Sequence, residues 1–65
     1  MRITYTAKQD FEASGMTFNR GMRVTLIQDT TEYVKVSPCG LEKYMTIEIP
    51  TEVFDKVFGN AQVEQ

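Results

Sequence analysis

The feature that most constrains the fold is a set of short runs, between residues 18 and 50, in which apolar and polar side chains alternate. Successive side chains of a β-strand point to opposite faces, so a half-buried strand alternates in this way. Residues 29–31 and 37–40 interrupt the runs with turn-forming side chains. The pattern therefore predicts three consecutive antiparallel strands. Their apolar members are Val24, Leu26, Val34, Val36, Met45, Ile47 and Ile49.

The residues before these strands predict a further strand and a loop. Residues 2–7 alternate and are rich in β-forming side chains, which predicts the first strand. Residues 8–16 have no sustained period and are expected to form a long loop or an irregular hairpin. Phe11 and Phe18 are the side chains expected to hold that segment to the core.

The residues after these strands predict a short helix. Pro50 cannot donate to a strand ladder and has the backbone angle needed at a helix start. Residues 51–58 then place their apolar side chains on one side of a helix. Gly59 and Asn60 favour its end. We expect one domain over residues 1–59 and a flexible tail over residues 60–65. The apolar helix positions are Val53, Phe54, Val57 and Phe58.

Length and composition narrow the classes of function. The chain has 65 residues, one cysteine, no histidine and a formal net charge of −2. A single cysteine makes no internal disulfide and no zinc site, and a slightly acidic chain is poorly suited to binding phosphates. We expect no metal, no cofactor and no membrane span, and a cytoplasmic location. Because no nucleophile is paired with a base, catalysis is not expected either.

Four segments resemble those of SH3 domains and SH3-like barrels, over about residues 5–54. Residues 7–13 (AKQDFEA) are similar to the opening Ala-Leu-Tyr-Asp-Tyr motif of that family, and Phe18 and Gly21 match its next motif. Residues 32–36 lie where the family has Trp-Trp-x-Val, and residues 49–53 where it has a Pro-Ser-Asn-Tyr motif. The resemblance implies a mainly β protein, an SH3-like barrel of four to five antiparallel strands with a short C-terminal helix, that binds other proteins.

The chain departs from the family at the groove that binds proline-rich peptides. Gln9, Tyr33 and Val53 stand at three positions where the family has groove aromatics, whereas Pro50 is kept. The resemblance therefore implies a protein partner without implying a proline-rich one. The predicted partner-binding residues are Tyr33, Tyr44, Lys35, Pro50, Gln9, Asp10, Glu12 and Arg23.

Two interpretations fit the aromatic residues that lie opposite the core positions. Tyr33 and Tyr44, together with Ile27, either are covered by the loop or helix as a second small core, or form a contact patch for a partner. We expect a small regulator or inhibitor of a larger protein, of the kind that phages and plasmids encode as accessory proteins. The alternatives are a small barrel that stacks nucleic-acid bases on Tyr33 and Tyr44, and a unit that self-associates as a homodimer.

Overall fold

The computed structural model describes residues 1–65. The predicted class, mainly β with a short helix towards the C-terminal end, is confirmed. The elements are β1 (Arg2–Ala7), β2 (Phe11–Ala13), β3 (Met16–Phe18), β4 (Arg23–Asp29), β5 (Tyr33–Pro38), β6 (Ile47–Pro50), α1 (Thr51–Val57) and β7 (Phe58–Glu64).

Five of the strands form one antiparallel sheet. Their order across the sheet is β6-β5-β4-β1-β7, and β2 and β3 pair separately as a hairpin. The edges of the large sheet are therefore β6 and β7, and α1 connects them. No ladder joins the two edges, so hydrogen bonding does not close the sheet.

The buried core lies where the alternation of the sequence predicts it. Val24, Val34 and Val36 are buried, and so are Ile47 and Ile49 on the neighbouring strand. The side chains between them point away from the core, as the two faces of a pleated strand require. Most of the stabilisation of such a small domain comes from burying these apolar side chains.

An aromatic cluster fills the side of the core beside the hairpin. Phe11 stacks on Phe18 with ring centroids 6.2 Å apart, and Phe58 meets Phe18 edge-on at 5.9 Å. The prediction that Phe11 and Phe18 hold residues 8–16 to the core is confirmed, with Phe11 half-buried and Phe18 fully buried. Where a long loop or an irregular hairpin was predicted, residues 11–18 form a regular hairpin of two short strands.

Helix α1 is one residue shorter than predicted. Pro50 precedes it as the N-cap, with no side-chain hydrogen bond at that end, and Phe54 and Val57 are buried. Phe58 is extended, and its N–H still donates to the carbonyl of Phe54. Phe58 is the first residue of β7, where it pairs with Ala7, and its buried ring stacks on Phe54 with centroids 5.0 Å apart.

Residues 60–65 differ most from expectation, since nearly all of them belong to a strand where a flexible tail was predicted. Strand β7 pairs with β1 from Phe58 opposite Ala7 to Glu64 opposite Arg2. Gly59 and Asn60 therefore mark an irregularity in this strand, and do not end a helix. The strand has few apolar residues, and its backbone pairing with β1 is what orders it.

Candidate protein-binding surface

Tyr33 and Pro50 lie side by side on the outer face of the β5–β6 ladder. They are partners across these antiparallel strands, as are Lys35 and Glu48 two residues further along. The pairs between them face the core. Tyr33 and Pro50 therefore form an aromatic–proline pair on the side of the sheet opposite the core. The core-facing pairs of this ladder are Val34 with Ile49, and Val36 with Ile47.

Polar side chains surround this pair and hold the tyrosine ring. The hydroxyl of Tyr33 donates to Oε1 of Gln28 over 3.3 Å, and Nζ of Lys35 lies 3.8 Å from Oε2 of Glu48. We call these five residues, Gln28, Tyr33, Lys35, Glu48 and Pro50, the Tyr33 face. An aromatic ring with a hydrogen-bonded hydroxyl and a polar surround has the usual composition of an interface centre and its rim.

The backbone at Tyr33 is fixed from two sides. Its N–H donates to Oγ1 of Thr30, and its carbonyl accepts from both the N–H and the hydroxyl of Thr30, all within 3.0 Å. Thr51, the first residue of α1, donates its hydroxyl to the carbonyl of Thr30 over 3.2 Å. The β4–β5 turn and the start of the helix therefore position Tyr33 before any partner arrives.

Tyr44 does not join Tyr33 in one patch. It lies in the loop between β5 and β6 and is 81% exposed, whereas Tyr33 is half-buried at the other end of β5. A strand from Tyr33 to Pro38 spans about 17 Å. Ile27 is 44% exposed, at an irregularity in the β4–β5 pairing beside Gln28. No second core covers Tyr44 or Ile27. The predicted single patch is divided, with Tyr44 apart from Tyr33 and Ile27 beside Gln28 of the Tyr33 face.

The predicted residues of the β2–β3 region stay apart from the Tyr33 face. Asp10 accepts a hydrogen bond from the N–H of Arg20 over 2.8 Å, which fixes the approach to the hairpin. Gln9 and Glu12 are exposed. No hydrogen bond or ion pair connects any of the three to Tyr33 or its neighbours.

Arg23 belongs to a different surface, formed by β1, β4 and β7. It pairs with Glu64 and donates to Oγ1 of Thr4 over 2.8 Å. Arg2 also pairs with Glu64, at 2.5 Å, and with Glu42 at 3.3 Å. We call Arg2, Arg23, Glu42 and Glu64 the arginine–glutamate network. Hydrogen bonds from Arg2 and then Arg23 lower the pKa of Glu64 below its usual range.

Glu42 connects this network to the loop that carries Tyr44. Its Oε2 accepts from the hydroxyl of Thr25 over 2.8 Å, and its Oε1 accepts from the N–H of Gly40 over 3.0 Å. The hydrogen bond from Thr25 is the main reason that the pKa of Glu42 is lowered. The hydroxyl of buried Ser37 donates to the carbonyl of Met45 over 2.6 Å. The loop is thereby attached to the outer face of the sheet.

Sequence reasoning missed Arg2, Glu42 and Glu64. The alternation of β1 and β4 does indicate a polar outer face, with Arg2 on the first strand and Arg23 on the second. Nothing in the sequence indicates which acids complete it, because Glu42 and Glu64 lie 40 and 62 positions from Arg2 along the chain.

Cys39 is the first residue of the loop between β5 and β6, and its thiol contacts Thr25. Its Sγ is 3.5 Å from the hydroxyl of Thr25, and the residue is half-buried after the end of β5. The structure has no detected pocket and no group of cysteine, aspartate and glutamate side chains placed to hold a metal ion.

Helix α1 lacks the length and apolar character needed to cross a membrane. Comparison of the chain with protein-family models, with curated proteins and with solved structures found no match.

Proposed function

We propose that this chain is a small, non-catalytic SH3-like module that binds a larger protein and regulates or inhibits it, with the Tyr33 face at the centre of contact. The observation that carries the proposal is the Tyr33–Pro50 pair on the outer face of the β5–β6 ladder. Aromatic residues dominate the energy of protein interfaces when they sit in a fixed position at the centre of contact. The resemblance to SH3 domains supports the same kind of function.

Preorganisation favours Tyr33 over the other exposed aromatic residue. Its backbone is held by Thr30 and its hydroxyl is hydrogen-bonded to Gln28. Binding through a side chain that is already ordered loses little conformational entropy. Tyr44 has a more exposed ring on a loop, so more freedom would be lost there on binding.

The partner that this face suits is a folded protein surface, and not a proline-rich peptide. Gln9 is exposed and polar, and Val53 is half-buried and packs against the core. Neither residue adds an aromatic wall beside the Tyr33–Pro50 pair. A peptide in the polyproline conformation needs several such walls, whereas a folded partner can contribute its own apolar residues to the contact.

The proposal is tested by comparing three variants of the chain. Tyr33→Ala removes the aromatic anchor, Tyr33→Phe removes only the hydroxyl, and Leu41→Ala truncates an exposed apolar residue of the β5–β6 loop as a control. Each is used for affinity capture from cells that express the protein, and the captured partner is then titrated. We expect Tyr33→Ala to weaken binding by about 1–3 kcal/mol, or about 5- to 150-fold in Kd. Leu41→Ala should leave Kd unchanged, because Leu41 follows the end of β5 that is farther from Tyr33.

Circular dichroism of the same variants separates binding from folding. Tyr33→Ala should keep the wild-type spectrum and a cooperative thermal transition, because its ring lies outside the buried core. An unfolded Tyr33→Ala variant would make Tyr33 a structural residue, and a folded one that binds the partner as the wild type does would put the contact elsewhere. Either result would refute the proposal.

The nucleic-acid alternative has less support. Its two candidate cations are both engaged with carboxylates, Arg23 with Glu64 and Lys35 with Glu48. Its two stacking platforms, Tyr33 and Tyr44, lie at opposite ends of a strand. A single strand would need positive charges that are free to contact phosphates next to its aromatic residues.

A further inference from the structure

The two edges of the large sheet differ in how well they are protected against pairing with another strand. Edge strand β6 has only four residues and ends in Pro50, which has no N–H to donate. Edge strand β7 has seven residues and contains neither proline nor lysine. Its backbone from Gly59 to Glu64 bonds only to β1. An edge without these protective features is a template for another strand.

An irregularity in β7 limits which part of its edge can pair with another strand. Thr4 lies opposite Gln62 and Thr6 opposite Gly59, so β7 has one residue more than β1 between these points. Asn60 adopts φ 54° there, as in a β-bulge. The regular part of the edge is therefore the stretch 62–64, which continues the ladder with β1 to Arg2.

We propose that residues 62–64 of β7 pair antiparallel with the same residues of a second copy of this chain, about a two-fold axis at Val63. The sheet then runs continuously from one copy into the other through its β7 edges. Such an interface is isologous, because each copy contributes the same surface.

The apolar side of this edge is self-complementary. Val63 is 56% exposed and lies opposite Ile3 of β1, and Ile3 is not among the half-buried side chains that pack against the core. An axis at Val63 brings the two Val63 side chains together as a cross-strand pair, with Ile3 flanking each of them. The pairing forms a row of four β-branched side chains on one face of the continuous sheet, and such cross-strand pairs stabilise a sheet.

The polar side of the edge is compatible with the same register. Gln62 lies opposite Glu64 of the second copy, and the opposite pair repeats this by symmetry. The charge of Glu64 is already balanced by Arg2 and Arg23 of its own chain. The two Glu64 side chains are diagonal across the axis and not directly opposite, so the repulsion between directly opposed like charges does not arise in this register. Gln62 contributes an amide that can donate to the facing carboxylate.

This pairing is independent of the proposed protein-binding function. The Tyr33 face lies on β4, β5 and β6, and neither β5 nor β6 borders β7 or β1 in the strand order. A dimer formed through β7 leaves both Tyr33 faces uncovered, and it would present two of them to a partner that is itself multivalent.

Sedimentation velocity of the full chain, from about 10 μM to about 1 mM, tests the pairing over the range expected for a short interface. We expect the wild type to shift from monomer to dimer within this range. Val63→Lys places a charge at the axis and should raise the dimer Kd at least about tenfold. Ile27→Lys is the matched control, because it puts the same charge on an exposed apolar residue of β4 that lies outside the edge, and it should dimerise like the wild type.

Amide hydrogen exchange of the wild type gives a second measurement that needs no variant. Raising the protein concentration should slow exchange in residues 62–64 and leave the β6 residue Glu48 unchanged. A chain that stays monomeric at the highest concentration overturns the proposal. A dimer that Val63→Lys does not weaken, or one that protects β6 and not β7, overturns it as well.

Discussion

At the scale of single residues, the half-buried side chain of Glu42 holds the loop between β5 and β6 in place. It accepts hydrogen bonds from the hydroxyl of Thr25, the N–H of Gly40 and the guanidinium of Arg2. These donors come from β4, from the loop itself and from β1. Charged acceptors make stronger hydrogen bonds than neutral ones. Glu42 is therefore the residue that attaches the Tyr44 loop to the sheet.

Replacing Glu42 should loosen this loop while leaving the core folded. In Glu42→Ala, the amides of Tyr44 and Met45, which donate to the carbonyl of Leu41, should exchange several-fold faster with solvent, since local opening becomes easier. Hydrogen exchange followed by NMR measures this directly. Lys43→Ala is the control, because Lys43 is exposed and takes part in no ion pair. Unchanged exchange in the Glu42 variant would mean that Ser37 and the backbone hold the loop alone.

At the scale of elements, the turn of the β2–β3 hairpin has a serine at a position that favours glycine or asparagine. The two strands are joined by Ser14 and Gly15, which adopt φ 54° and 76°. Two positive φ values are those of a type I′ turn, whose twist matches the strands that it connects. Glycine adopts this conformation readily, whereas a serine with a Cβ is strained in it. The turn is therefore built with one unfavourable residue.

Relieving this strain should stabilise the whole domain. Asparagine tolerates the left-handed region better than serine, so Ser14→Asn should raise the free energy of unfolding by about 0.5 kcal/mol. Urea denaturation measures the change. Ser14→Ala, which keeps the Cβ and gains no local hydrogen bond, should be no more stable than the wild type. Equal stability of the asparagine and alanine variants would show that the turn is not strained at Ser14.

The elements also show which parts of the fold can be predicted from sequence. Alternation predicts β1 and the strands from β4 to β6, because each buries one face of a pleated backbone. It does not predict β7, since only Phe58 of that strand is buried and Gly59 with Asn60 resembles a helix end. Backbone hydrogen bonds to β1 order this strand, which has few buried apolar side chains of its own. The β propensity of a segment does not predict a strand that is held by its pairing with another strand.

The same limit applies to the candidate site. Alternation predicts that Tyr33 points away from the core, and it does. The pairing of Tyr33 with Pro50 depends on the length of the loop between β5 and β6. The sequence predicts a turn at residues 37–40, whereas the loop lies between Pro38 and Ile47. The alternation of the sequence extends back to Tyr44 and so predicts a strand over residues 44–50 that includes Tyr44, whereas β6 begins at Ile47 and Tyr44 lies in the loop.

At the scale of the whole molecule, the arginine–glutamate network joins segments that are distant in sequence. It connects β1 to β4, β7 and the Tyr44 loop through Arg2, Arg23 and their two glutamates. A domain of this length buries only a modest core, so contacts that tie its last strand to its first matter more than they would in a larger protein. Part of the stability of the fold should therefore depend on the charge of these glutamates.

Acid should weaken the domain through Glu64. Its pKa is lowered in the folded protein by Arg2 and Arg23, so the folded state holds its proton less tightly than the unfolded state does. The stabilisation is fully present above the ordinary carboxyl pKa of 4.5 and is lost as the pH falls below that value through the lower pKa of the folded state. Urea denaturation between neutral pH and about pH 3, at protein concentrations that keep the chain monomeric, should show stability falling on the acid side.

The Glu64→Gln variant should be less stable than the wild type at neutral pH, and the difference should shrink as the pH falls. Glu12→Gln, at an exposed position outside any ion pair, should follow the wild-type curve. A gap between wild type and Glu64→Gln that stays constant across this pH range would show that Glu64 stabilises the fold by its shape and hydrogen bonds and not by its charge.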